Sequence, residues 1–172
     1  EYFALGYVAE PRAIFKQARK LPPAHTLLLR RGQPMGEPRE YWDVRFTLDN
    51  PISDADACAE LTHRLEESIR LRMISEVPLG AFLSGGVDST IIVGLMQKLS
   101  RQPVRTFSIG FPVPEYDETH YAAIAAKQFG TLHQEFRVEP DAVAILPKLV
   151  WHYDEPFADS SAVPTWYLSQ IT

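Results

Sequence analysis

The chain has 172 residues, 45% hydrophobic and 23% charged, which is the composition of a globular protein with a proper core. Its net charge of −5 gives no basic footprint for nucleic acid, and no apolar run approaches the roughly 20 residues a membrane span needs. The single cysteine, Cys58, rules out an internal disulfide framework, and with no signal-peptide pattern at Glu1 a cytoplasmic location is expected.

In chain order, Ile14, Phe15 and Ala18 give a short helical pattern that Pro22-Pro23 stops, and Thr26 to Leu29 is strand-like. "GQPMGEPRE" is dense in Gly and Pro and predicts a loop or linker. Tyr41 and Trp42 follow as an expected packing anchor. Ser53 with Asp56 marks a helix start. Cys58, Leu61, Leu65, Ile69 and Met73 then recur at steps of three and four, which predicts one apolar face of a helix running to about Ile74. On that face Cys58 is expected to be a buried, inert thiol.

After Pro78 the rhythm changes. "LGAFL" is a continuous apolar run, as for a strand covered on both faces. Ile91, Ile92, Leu95, Met96 and Leu99 repeat as a helix; "VRTFSIGF", "THYAAIAAKQFG" and "HQEFRV" predict strand, helix and strand. "DAVAILPKLVWHY" predicts a further helix, with Pro147 as a kink or boundary. This alternation implies an α/β fold with a parallel sheet and helices on both faces.

"SGGVDS", residues 84 to 89, falls between a strand and a helix, where open parallel sheets bind ligands. Gly85 and Gly86 would let consecutive backbone N–H groups point into one concavity beside a helix N-terminus, which suits an anion such as phosphate. The spacing is neither the lysine-bearing Walker loop nor a dinucleotide fingerprint. An acid inside the turn, Asp88, would repel phosphate unless a cation lies between them, so Asp88 is expected to hold Mg²⁺. Ser84 and Ser89 would donate hydroxyl hydrogen bonds. The plain alternative is a Gly-Gly turn in which Asp88 only favours a helix start.

Ser84-Gly-Gly-Val-Asp-Ser89 resembles the pyrophosphate loop of the N-type ATP pyrophosphatases. Together with "EVPLGAFLSGGVDST", "TFSIGF", "YDETHYA" and "DEPFADSSAVPT", it resembles the synthetase domain of glutamine-hydrolysing asparagine synthetases. The resemblance implies a partial Rossmann-like domain of the adenine nucleotide alpha hydrolase-like type. It further implies that residues 1–40 are the end of a glutaminase domain with its linker, and 41–172 the first part of the synthetase domain. The expected activity is ligase chemistry: asparagine from aspartate and glutamine-derived ammonia, with ATP and Mg²⁺, through β-aspartyl-AMP.

By the same resemblance, Leu83 and Ile109 would offer backbone groups to the adenosine. Ser84, Gly85, Gly86, Asp88 and Ser89 would hold the pyrophosphate, with Asp88 the catalytic metal ligand. Asp117 and Glu118 recur in the family, as metal ligands or simply as acids opening a helix. Asp154, Ser160 and Ser161 would line the substrate side, in a segment from 154 to 165 expected to be an ordered loop between two prolines. The family's N-terminal catalytic cysteine and second synthetase loop are not in this sequence. A piece of a longer protein, inactive alone, is therefore expected.

His25, His63, His120, His133 and His152 lack zinc-ligand spacing, and packing or surface roles suffice for them. Trp42, Trp151 and Trp166 are too scattered for a nucleic-acid stacking platform. Three other functions stay open: a related ligase with another acyl acceptor, as in β-lactam or cell-surface-polymer biosynthesis; tRNA thiolation, which wants a basic face and reactive cysteines; and a non-catalytic nucleotide-binding module. A homo-oligomer also stays open.

Overall fold

The computed structural model describes residues 1–46 and 51–172. The chain divides into two compact units: residues 1–50 with 143–160, and residues 51–142 with 161–172.

The first unit opens with helix α1 (Tyr2–Leu5), closed by Gly6 in the left-handed region. Residues 11–20 form no helix. Arg12 and Arg19 bridge across a turn, and the Lys20 N–H reaches the Pro11 carbonyl at 3.0 Å. Three apolar positions are too few to offset the cost of nucleating a helix when Ile14 and Phe15 stay exposed. The expected strand at 26–29 shrinks to β1 (His25–Thr26), which pairs antiparallel with β2 (Arg39–Glu40). Tyr41 and Trp42 are not packed as anchors: they are 70% and 60% exposed.

The second unit carries the sheet. Helix α2 (Asp54–Arg72) starts where the sequence predicts, with the Ser53 hydroxyl accepting the Asp56 N–H at 3.2 Å and Arg70 and Arg72 in its last turn. Only its C-terminal half is used for packing. Ile69 joins Met96 and Val104 in one core cluster, and Lys98 pairs with Glu66 at 2.6 Å. Leu61 and Cys58 are exposed, so the thiol is not buried as its place on the apolar stripe predicts. A helical stripe marks a face that is able to bury; it becomes core only along the length that meets a partner.

Strand β3 (Gly80–Phe82) leads through the two-glycine turn into helix α3 (Val87–Leu99). Strand β4 (Arg105–Gly110), helix α4 (Thr119–Phe129) and strand β5 (Leu132–Arg137) follow, with Gly130 closing α4 in the left-handed region. The sheet is parallel in the order β3-β4-β5, with Phe82 opposite Phe107 and Ile109 opposite Phe136. It is thus a partial Rossmann-like α/β sheet flanked by helices. Leu83, Val93, Ala122, Ala125 and Ala126 make a second core cluster, joined by Phe129. Small residues on α4 let it lie close, and Gly94 of α3 leaves the space that the Phe129 ring takes.

β3 is not covered on both faces. Phe82 is 46% exposed, and the outer edge of the strand has no partner among the described residues. Helix α5 (Ala142–Tyr153) runs on through Pro147 rather than stopping there. The segment after it is irregular only to Ser161, because helix α6 (Ala162–Ile171) begins inside the stretch expected to be loop.

Candidate functional site

At the carboxyl end of β3 the chain must turn at once into α3. Gly85 makes that possible twice over. Its φ of +84° is strained for any side chain, and an added Cβ would lie 2.6 Å from the Tyr121 Cβ and 2.7 Å from the Ala122 amide nitrogen. The turn therefore packs directly on the first turns of α4. That is a reason for Gly85 which the sequence alone did not suggest.

Inside the turn the polar groups are matched to one another. The Ser84 oxygen accepts the Gly86 N–H at 3.3 Å and lies 3.0 Å from the Ser89 oxygen; the Ser89 hydroxyl donates to the Gly86 carbonyl at 3.1 Å. With the Ser89 proton so used, Ser84 donates to Ser89. Gly86 is the N-cap of α3 and supplies no side-chain bond, so the first amides of that helix are left to other partners. Asp88 sits in this first turn, exposed, and no side chain among the described residues pairs with its carboxylate. No cluster of three or more metal-binding side chains occurs among the described residues. A cation here would have one carboxylate from the chain and draw its other oxygens from ligand and water, a coordination that suits Mg²⁺.

Beside the loop the sheet ladder ends. The Leu83 N–H donates to the Phe107 carbonyl at 2.8 Å, and no ladder bond between β3 and β4 is made beyond it. Alternate residues of β4 point their backbone groups to the same side, so Ile109 turns its N–H and C=O into the gap past the end of β3. On the other edge the Gly110 carbonyl accepts from Val138 at 3.1 Å. The gap is the floor of a cavity of about 320 Å³. Leu83, Ile109, Phe111, Pro164 and Leu168 make it largely apolar, while Ser84, Ser108 and Ser161 add hydroxyls. Leu83, Ser84, Ile109 and Ser161 are thereby brought together from three separate stretches of sequence.

The other substrate-side candidates are Asp154 and Ser160. Both belong to the first unit, where the Asp154 N–H bonds the Val150 carbonyl at 3.0 Å with φ at +57°. In that unit Glu155 pairs with Lys20, and the Ala158 N–H donates to the Gly6 carbonyl at 2.9 Å. Asp117 is committed locally: its carboxylate accepts the Thr119 hydroxyl at 2.6 Å and the Thr119 N–H at 3.0 Å, bonds that hold its pKa below the ordinary range. It thereby organises the start of α4. Glu118 reaches the cavity wall.

One polar group was not singled out from the sequence. Thr106 and Ser108 alternate on β4 and are 0% and 3% exposed, facing His133 of β5. Burial lowers the pKa of the imidazole, against an opposing effect of Glu135, and so favours the neutral ring. The signal was there: two hydroxyl residues at alternate positions of a central strand must find polar partners inside the fold.

A parallel sheet flanked by helices, with a glycine turn and a helix N-terminus at its carboxyl edge, defines an α/β protein whose strand ends are the candidate ligand site. The sequence profile of the family described as Asparagine synthase matches residues 60–172, and the chain belongs to that family. It is 38% identical to putative asparagine synthetase (glutamine-hydrolyzing) 2 of Methanocaldococcus jannaschii, over 99% of this chain and 33% of that protein. Identity is 34% to the putative asparagine synthetase (glutamine-hydrolyzing) of Mycobacterium tuberculosis, over 98% of this chain and 26% of the relative. With asparagine synthetase (glutamine-hydrolyzing) 1 of Bacillus subtilis it is 29%, over 99% and 27%. The chain thus spans a third or less of the length of these relatives.

Proposed function

We propose that this chain is the nucleotide-handling part of an ATP-dependent amide ligase that makes asparagine from aspartate and glutamine-derived ammonia. One observation carries this reading: an exposed, unpaired Asp88 in the first turn of α3, directly after the Ser84–Gly86 turn at the end of β3. A carboxylate at that place opposes an anion unless a divalent cation joins the two. The family relationship supports ATP as the anion.

In this mechanism the adenosine lies in the cavity past Leu83, against the unpaired backbone of Ile109. The β- and γ-phosphates lie over the turn, where Ser84 and Ser89 exchange their mutual hydrogen bonds for bonds to phosphate oxygen. The amides opening α3 face the same oxygens. Asp88 would hold Mg²⁺, which when bound would neutralise charge building up on the pyrophosphate. A side-chain carboxylate oxygen of aspartate attacks the α-phosphorus, forming a new P–O bond as the bond to pyrophosphate breaks. Ammonia then attacks the acyl carbon of the β-aspartyl-AMP, AMP leaves with the C–O bonding pair, and a proton is lost from nitrogen. Ser161 stands on the cavity wall from which the acceptor would approach.

The test is aspartate-dependent pyrophosphate release by the full-length protein and by Asp88→Asn. Because the Asp88 side chain is exposed, the variant should melt as the parent does while its rate falls about a hundredfold or more. An unchanged rate in the folded variant would overturn the assignment.

A further inference from the structure

We propose that His133 is a positioning residue that fixes Ser108 as a hydrogen-bond acceptor toward the cavity, so that Ser108 recognises an N–H or O–H of the bound nucleotide. The proposal rests on the nucleotide reading of that cavity and adds a source of selectivity to it.

The geometry is a short chain of polar atoms linking β4, the residue opening the β5 approach and β5. The Thr106 oxygen lies 2.8 Å from the Thr131 oxygen and 2.9 Å from His133 Nδ1; the Ser108 oxygen lies 3.2 Å from His133 Nε2. Thr106 and Ser108 are buried, whereas Thr131 and His133 are half-buried. A neutral imidazole has one N–H and one acceptor nitrogen. If Nε2 carried the proton, it would donate to Ser108, and the Ser108 hydroxyl proton would then have no acceptor among the described residues. With the proton on Nδ1 the pattern closes. Nδ1 donates to Thr106, Thr106 donates to Thr131, and the half-exposed Thr131 gives its proton to water. Ser108 then donates to Nε2. Only this arrangement gives the protons of both buried hydroxyls, Thr106 and Ser108, an acceptor within the protein; the alternative turns the Ser108 proton into a largely apolar cavity, which is the costlier choice.

The consequence falls on the cavity side. Ser108 lines it together with Ile109 and Leu83. With its proton held by His133, Ser108 has only lone pairs to offer there. It can accept from the exocyclic amino group of adenine or from a ribose hydroxyl, and it cannot donate to a ring nitrogen.

The experiment measures the affinity of the full-length protein for ATP, purine riboside triphosphate, 2′-deoxy-ATP and 3′-deoxy-ATP, in the parent and three variants. In the parent, the one analogue lacking the recognised donor should bind about fivefold more weakly than ATP. Which analogue shows the loss identifies amino group or hydroxyl as the donor. His133→Asn keeps an amide near the Nδ1 position for Thr106 but cannot reach Ser108. It should stay folded, bind ATP about fivefold more weakly, and no longer distinguish that analogue from ATP. Ser108→Ala should behave likewise. His133→Gln, whose amide oxygen reaches the Nε2 position, should recover discrimination. A folded His133→Asn that binds all four nucleotides as the parent does would overturn the proposal. So would discrimination that persists in Ser108→Ala, or a parent that discriminates against no analogue. A parent that binds no ATP would instead overturn the nucleotide reading, and this inference with it.

Discussion

Gly85 shows how much one missing side chain decides at this site. Its positive φ and its contact with the Tyr121 Cβ and the Ala122 amide are separate reasons against a Cβ, and neither neighbour can swing away. Gly85→Ala should therefore destabilise the protein by about 2–4 kcal/mol in urea titrations, combining backbone strain with overpacking. Loss of well under 1 kcal/mol would mean that the turn relaxes freely. His133 gives a second prediction at this scale. Burial depresses its pKa, so the native ring takes up a proton less readily than the unfolded one. Stability is then fully present above the ordinary value of about 6.5 and declines as pH falls from there toward the lower native pKa. Glu135 works against the shift and shortens that window. Comparing unfolding at pH 7.5 and 5.5, the parent should lose more stability than His133→Asn; equal losses would contradict the assigned direction.

Among the elements, the contact of α3 with α4 depends on Gly94, where an added Cβ would come within 2.8 Å of the Phe129 ring. Gly94→Leu should cost about 1–3 kcal/mol through overpacking, and Phe129→Ala in that background should restore part of it. Simple additivity of the two changes would show that the helices do not meet there. The central elements were legible because their rhythm and their boundaries agreed: Ser53 starts α2, Gly130 ends α4, and apolar runs separate them. Where one of those signals was missing, the sequence misled. Ile14, Phe15 and Ala18 have helical spacing but no cap and no buried partner, and they form a turn. Cys58 has the spacing and the cap, yet it stays exposed, and the core cluster takes its α2 member, Ile69, from the other end of the helix. For the site, the loop could be read because its residue types are restrictive. The Thr106–His133–Ser108 group could not, since hydroxyl residues in a strand look alike until the neighbouring strand fixes which ones are enclosed.

At the scale of the whole molecule, the sheet is the part with the least protection. β3 has three residues, an outer edge with no strand partner among the described residues, and the exposed apolar side chains of Val77, Leu79 and Phe82 in or beside it. Natural sheets blunt such edges with charge, proline or cover, because an open edge accepts any strand that arrives. The 172-residue chain should accordingly self-associate as its concentration rises in sedimentation velocity runs, and Phe82→Lys should shift it back toward monomer. Identical sedimentation of the two would place the attraction elsewhere. In the laboratory, the same edge should let the chain precipitate while its helices are still intact. An apparent melting temperature taken by heating would then report how fast molecules clump rather than how tightly one of them is folded. It would change with heating rate and with dilution, and the useful additive would be a short peptide that occupies β3, not a stabiliser of the core.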